Sequence, residues 1–95
     1  MSSPTQRSKA HLEKQGYRVA IVEHWNAFAR IRQDLFGIVD LLCLRGTETL
    51  AVQTTSASNM SARVKKIAES DAIADIRAAG WGFHVHGWKR GTNGR

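Results

Sequence analysis

The sequence is poor in cysteine and proline, with one of each among its 95 residues, and it contains no long apolar run. The lone cysteine, Cys43, excludes an internal disulfide framework and a cysteine-cluster zinc site. Its apolar surroundings favour a buried side chain over a nucleophile. No stretch approaches the roughly 20 apolar residues of a membrane span, and the first residues lack the apolar core of a signal peptide. We therefore expect a soluble, cytoplasmic protein with no membrane partner.

Several catalytic motifs are also absent. The sequence has no glycine-rich phosphate-binding loop, no GxSxG nucleophile motif and no HExxH zinc motif. His84 and His86 alternate along a predicted strand, but no third ligand stands at metal spacing, which favours core or surface histidines over metal ligands. Trp88 precedes Lys89 and Arg90 and could stack on a base or a sugar, although packing at a sheet edge is the simpler interpretation.

Acidic residues are outnumbered by basic ones. The chain has 14 lysines and arginines against 8 aspartates and glutamates, which gives a formal net charge of +6. An excess of this size in a small domain is typical of a protein that binds a polyanion, most often nucleic acid. A basic surface that serves only solubility is the alternative. The side chains expected to contact a nucleic-acid backbone, without reading base sequence, are Arg30, Arg32, Arg45, Lys65, Lys89 and Arg90.

The residue pattern predicts one domain over residues 6–88, with a flexible leader at 1–5 and a basic, flexible tail at 89–95. The hydrophobic content of 42% is enough for one core. Helix formers, β-branched runs and turn residues set the element boundaries. The predicted elements are a helix over 6–15, strands over 17–25, 36–44 and 49–55, a helix over 60–79 and a strand over 82–88, with 26–33 as a connection.

This order predicts an α/β fold with a four-stranded mixed sheet flanked by helices. The short link between strands 36–44 and 49–55 predicts an antiparallel hairpin. The helix over 60–79 then returns the chain for a last strand that runs parallel to its neighbour.

Polar residues interrupt two strands that should otherwise be core. Asp40 is a carboxylate in the middle of an apolar run, which is costly to bury without a partner. Gln53 and Thr55 project from the same face of the next strand. Together with the carbonyl of Thr54, Asp40 and Gln53 could bring oxygen ligands to a hard cation such as Mg²⁺ or Mn²⁺. Pairing of Asp40 with an arginine, and a half-exposed strand face for Gln53 and Thr55, are the structural alternatives.

These residues carry a resemblance to a known family. The order αβββαβ, with Gly37-Ile38-Val39-Asp40 opening one strand and Val52-Gln53-Thr54-Thr55 on the next, resembles the PD-(D/E)XK nuclease superfamily with its restriction-endonuclease-like core. The similarity covers about residues 6–88. It is greatest to small members: archaeal Holliday-junction resolvases, Mrr-type endonuclease domains and the stand-alone VRR-NUC domains of phages.

The resemblance implies site roles, with departures from the family pattern. Asp40 matches the metal-binding aspartate, and Gln53 stands at the Glu/Asp position, where Mrr-like members also use glutamine. Thr55 stands where the family has lysine, so it lacks the positive charge that stabilises the transition state. Some members place the basic group on the following helix, where Lys66 and Arg63 share a face here.

A further family carboxylate, on the first helix, is also missing. In resolvases it lies about ten residues before the glycine that ends the helix; here that position is Gln6. Glu13 and Glu23 are the substitutes that the sequence offers. Asp34 could also restore a carboxylate beside Asp40 if the connection folds back.

The resemblance therefore implies a metal-dependent endonuclease that hydrolyses phosphodiester bonds in duplex or branched DNA. We expect it to be encoded by a phage or mobile element, to act in the host cytoplasm and to form a homodimer, because one small unit covers little DNA. Cleavage of Holliday-junction-type structures is the specific form implied. Two alternatives are a catalytically degenerate nucleic-acid-binding module of the same fold and a phage inhibitor or protein-interaction domain.

Overall fold

A four-stranded mixed sheet organises the chain, whose computed structural model describes residues 4–28 and 30–89. The sheet contains β1 (Arg18–Ile21), β4 (Leu41–Arg45), β5 (Glu48–Ser56) and β6 (Gly82–Trp88), in that spatial order. The first three are antiparallel, and β6 pairs with β5 in parallel. The predicted fold class, the antiparallel hairpin and the parallel last strand are confirmed.

Three helices cover the sheet, and a second small hairpin interrupts the predicted order. The helices are α1 (Pro4–Lys14), α2 (Met60–Ala68) and α3 (Ala72–Ala78), with a short 3₁₀ turn at Ala57–Asn59 before α2. The inserted hairpin pairs β2 (His24–Asn26) with β3 (Ile31–Gln33). It occupies part of the predicted strand 17–25 and most of the connection 26–33, and it determines where two acidic residues lie. None of the described helices is long and apolar enough to cross a membrane.

Residues of β5 divide the core into two layers. Leu50 and Val52 pack with Leu12 of α1, whereas Ala51 packs with Ile67 and Ile76 of the other helices. This alternation follows from the period of two along a strand, and helices on both faces explain why the strands are apolar on both sides. Cys43 is fully buried, as predicted, and burial raises the pKa of its thiol to about 11, so it stays protonated and unreactive.

One predicted strand boundary moves in a way that matters for the site. The strand predicted over 36–44 begins only at Leu41, because residues 35–39 form a turn closed by a Leu35–Val39 bridge. Gly37 adopts a φ of +75° in that turn, a conformation suited to glycine. Asp40 therefore stands at the start of a strand rather than in its middle.

Helical structure also departs from the prediction at both helices. The helix predicted over 60–79 is broken between Ala68 and Ala72, where the hydroxyl of Ser70 accepts a hydrogen bond from the Ala72 amide at 3.2 Å. The first helix starts at Pro4, so residues 4–5 belong to it and not to a leader. Proline suits the first helical position, where its missing N–H costs no hydrogen bond. Residues 1–3 and 90–95 of the predicted leader and tail lie outside the described residues.

Candidate metal centre

The candidate site lies where β4 begins and β5 ends. In the register of these strands Leu41 faces Val52, which places Asp40 beside Gln53. The amide of Asp40 donates to the carbonyl of Val52 at 2.9 Å, continuing the ladder by one residue. Asp40 is 2% exposed and Gln53 1% exposed. The sheet register therefore brings the two polar residues singled out in the sequence into direct contact.

Three donors converge on one oxygen of the Asp40 carboxylate. The Gln53 Nε2, the Thr54 amide and the Thr54 Oγ1 lie 2.7, 2.8 and 3.2 Å from Asp40 Oδ2. Hydrogen bonds to the charged form offset the cost of burying a carboxylate. Thr54 reaches the site through its amide and hydroxyl, so its observed role is to orient Asp40.

Two further carboxylates join Asp40. One ligand oxygen from each of Glu23, Asp34 and Asp40 lies within 4.8 Å of the others, so this cluster could hold a metal ion. Glu23 directly precedes β2 and Asp34 directly follows β3, and the paired ends of that hairpin, His24 and Gln33, hold the two acids side by side. The connection thus folds back, as the Asp34 hypothesis required.

The carboxylates perturb one another. Burial, the negative charge of Asp40 and a hydrogen bond with Asp40 raise the pKa of Asp34, while the positive charge of Lys66 and a hydrogen bond with Gln53 act in the opposite direction. Like charges held this close disfavour full ionisation. A cation between them would remove that cost.

The side chains present fit a hard divalent cation. Carboxylate and amide oxygens are the ligands that Mg²⁺, Mn²⁺ and Ca²⁺ prefer, and no histidine or cysteine belongs to the described cluster. Gln53 Oε1 is buried and has no hydrogen-bond partner among the described residues. An unpaired buried acceptor is costly, and a cation ligated by this oxygen would satisfy it.

The cluster opens into a cleft of about 420 Å³ with basic residues at its rim. Arg63 and Lys66 of α2 line this cleft together with Thr55, which is 6% exposed. Lys65 points elsewhere and does not line it. The predicted face-sharing of Arg63 and Lys66 therefore brings two cations into the cleft that the three carboxylates line.

Other predicted residues lie away from the cleft. Arg45 stands at the far end of β4, where it donates to the Gln15 carbonyl at 2.8 Å, pairs with Glu48 at 3.1 Å and lies over the Tyr17 ring. These contacts give Arg45 a structural role at the end of β4 opposite the site. The position of Arg45 thus gives no support to its assignment as a DNA contact beside the site.

The remaining predicted contacts are divided among the surface and the residues not described. Arg30 is exposed at the tip of the β2–β3 hairpin, and Lys89 is exposed at the end of β6. The side chain of Arg32 and the whole of Arg90 lie outside the described residues.

The first helix contributes to the site through an unexpected residue. Glu13 is exposed and pairs with Lys9 at 2.8 Å, so it is not the substitute carboxylate. Gln6 is exposed and does not line the cleft. Instead the hydroxyl of Thr5 donates to Glu23 Oε1 at 3.2 Å and lies 3.0 Å from Thr54 Oγ1. No sequence pattern predicts a role for Thr5 in the site, because residues 1–5 are predicted to form a leader.

Comparison of the chain with family models, curated proteins and solved structures gives no match.

Proposed function

We propose that this protein is a metal-dependent DNA endonuclease of the PD-(D/E)XK type. The observation that carries the proposal is the cluster of three carboxylates and one unpartnered amide oxygen beneath two basic side chains. A site with acidic ligands below and cations above suits a phosphodiester, whose negative charge needs neutralisation while a water attacks.

The residues divide into two groups by the charge that they offer. Glu23, Asp34 and Asp40 would hold Mg²⁺ or Mn²⁺ through carboxylate oxygens, with Gln53 adding its amide oxygen. When bound, the ion would polarise the scissile phosphate and lower the pKa of a water. Thr55 would orient that water through its hydroxyl. Lys66 and Arg63 would neutralise the phosphate from the cleft rim.

Glu23 and Asp34 supply negative charges that the family pattern requires and that Gln53 lacks. Gln53 and Thr55 each lack a charge that the family pattern has, which favours a degenerate, DNA-binding relative. The two acids at the base of the β2–β3 hairpin supply the carboxylates missing at Gln53 and Gln6, and Lys66 supplies a cation in place of Thr55. An intact set of charges supports catalysis over binding alone.

The substrate and assembly form part of the proposal. The net charge of +6 supports a polyanionic substrate, and we propose duplex or branched DNA cut by a homodimer in the cytoplasm of a phage-infected host. The resemblance to small resolvases is what supports structure-selective cleavage.

Nicking of supercoiled plasmid and cutting of a labelled four-way junction test the proposal, each with Mg²⁺, Mn²⁺ or EDTA. We expect metal-dependent cutting that Asp40→Asn reduces at least about 100-fold. Asp71→Asn, an exposed acid outside the cleft, is the matched control and should cut like wild type. DNA binding without cutting in either metal would favour the degenerate module. If the protein neither cuts nor binds DNA, the result would favour the protein-interaction domain.

A further inference from the structure

A second groove adjoins the cleft. It has a volume of about 670 Å³ and is lined by Ser56, Ala57, Ser58, Trp88 and Lys89. Ser56 also lines the carboxylate cleft, so the two depressions meet at the end of β5. A polymer with its reacting group at the carboxylates could therefore continue into this groove without leaving the surface.

Trp88 is fixed within the groove by its neighbours. Its Nε1 donates to Ser8 Oγ at 2.7 Å, and that hydroxyl also lies 2.7 Å from His86 Nδ1. The Arg7 guanidinium lies 4.6 Å from the Trp88 ring centroid and donates to the Lys89 carbonyl at 3.1 Å. A held aromatic ring loses little entropy when it binds a ligand.

The chemistry of the groove suits a nucleotide better than a protein segment. It combines an aromatic ring, two serine hydroxyls and the cation of Lys89 beside a proposed phosphate site, and the Arg7 guanidinium lies over the Trp88 ring. Aromatic rings interleaved with cations are the surface on which single-stranded nucleic acid binds, since every base has a face that can stack. In a duplex those faces are covered by neighbouring bases.

We propose that this groove binds an unpaired nucleotide next to the scissile phosphate, so that, of the duplex and branched substrates proposed above, the protein acts on branched DNA with a single-stranded arm. The inference rests on the proposed function for the neighbouring reaction, and it names the substrate class of that same site. Trp88 stacks on the base, and Lys89 with Arg7 contacts the adjoining phosphates.

Fluorescence anisotropy with a labelled oligothymidylate of about 15 nucleotides tests this, in EDTA so that no cutting occurs. Wild type should bind the single strand more tightly than a duplex of equal length. Trp88→Leu should weaken single-strand binding about tenfold. Trp81→Leu, in a separate groove beside α3, should change it less than about twofold. Unchanged affinity in Trp88→Leu, or tighter binding of the duplex, would overturn the inference.

Two lysine substitutions keep the test decisive if Trp88→Leu does not fold. Lys89→Gln removes an exposed cation from the groove, and Lys14→Gln removes an exposed cation at the end of α1, outside both the groove and the cleft. We expect Lys89→Gln to weaken single-strand binding about threefold more than Lys14→Gln; equal effects would contradict the inference. Trp88-dependent binding by a protein that does not cut DNA would contradict the proposed nuclease and support the inference about the groove. Metal-dependent cutting with single-strand binding that does not depend on Trp88 would support the nuclease and contradict the inference.

Discussion

At the scale of single residues, the contacts of Asp40 explain how a carboxylate can lie in an apolar core. Its Oδ2 receives hydrogen bonds from Gln53 and from the amide and hydroxyl of Thr54. Asp34 lies partly buried beside Asp40, whose negative charge raises its pKa, while the charge of Lys66 and a hydrogen bond with Gln53 oppose that rise. The proximity of the two acids therefore carries an electrostatic cost.

The cost of that proximity makes Asp34→Asn informative. Because the pKa of Asp34 is raised in the folded state, the folded protein binds this proton more tightly than the unfolded chain does, and its stability falls as pH rises through the raised pKa. At neutral pH and without metal, Asp34→Asn should therefore raise the melting temperature while abolishing metal-dependent cutting. Differential scanning fluorimetry in EDTA measures the first effect.

Asp71→Asn serves as the control for that measurement, since Asp71 is exposed and lies outside the cluster. It should leave both melting temperature and cutting unchanged. A lower melting temperature for Asp34→Asn in EDTA would show that Asp34 stabilises the fold, contrary to a site built for a cation.

Gln53→Glu tests the amide at the centre of the site. The substitution places a carboxylate where Gln53 Nε2 now donates to Asp40 at 2.7 Å, so the hydrogen bond becomes a repulsion without metal. We expect a lower melting temperature in EDTA and about tenfold tighter Mn²⁺ binding, because affinity rises with ligand charge. Gln15→Glu, at an exposed position directly after α1, should change neither the melting temperature nor the affinity for Mn²⁺. Weaker Mn²⁺ binding by Gln53→Glu would place the ion away from this residue.

Much of the site followed from strand geometry, and the rest required contacts distant in sequence. Alternation along one strand predicts that Gln53 and Thr55 share a face, and helical spacing does the same for Arg63 and Lys66. Glu23 and Asp34 meet only because the hairpin between them closes, which no local pattern in 26–33 indicated. Thr5 joins them only after α1 packs across the sheet.

At the scale of elements, the β2–β3 hairpin positions the acids and α1 anchors the last strand. The Ser8 hydroxyl lies between His86 Nδ1 and Trp88 Nε1, and this contact links α1 to β6. His11 of α1 and His84 of β6 face the same ring of His86. Of the two alternating histidines, His86 is half-buried at the contact between α1 and β6, and His84 is exposed.

This linkage predicts a pH dependence of stability. Burial and the nearby His11 and His84 lower the pKa of His86, so the unfolded chain binds this proton more readily than the folded protein. Stability from His86 is complete above about pH 6.5 and is lost as pH falls through the lowered pKa. We expect His86→Gln to flatten the fall in melting temperature between about pH 7.5 and 5.

His24→Gln is the control, since His24 is exposed on the β2–β3 hairpin. Its pH profile should parallel that of wild type. A profile of His86→Gln that also parallels wild type would show that protonation of His86 does not limit the stability of the α1–β6 contact.

The broken helix shows where a sequence pattern fails at this scale. Apolar spacing over 60–79 suits one helix, and the two observed helices bury Ile67, Ile73 and Ile76 against the sheet, while Met60 and Val64 stay exposed. Ser70 nevertheless offers the backbone a local hydrogen bond to Ala72, which competes with helical pairing. Periodicity detects the buried face and misses this competition.

At the scale of the whole molecule, two thin core layers, one on each face of the sheet, stabilise the fold. A domain of this size has a stability of roughly 5–15 kcal/mol, so one core side chain matters. Leu12 of α1 is 2% exposed, and Leu12→Ala should lower the free energy of unfolding by about 2–5 kcal/mol in urea titration. Leu44→Ala, at a position 47% exposed, should cost far less. Equal losses would mean that α1 contributes no core.

A cation bound in the cleft would explain why three carboxylates cluster in a chain that otherwise has an excess of basic residues. Isothermal titration of the whole protein with Mn²⁺, in wild type, Asp40→Asn and Asp71→Asn, measures this directly. Saturable binding in wild type and Asp71→Asn, lost in Asp40→Asn, is the result expected of a metal centre at Glu23, Asp34 and Asp40. Absence of saturable binding, or equal binding in Asp40→Asn, would contradict it.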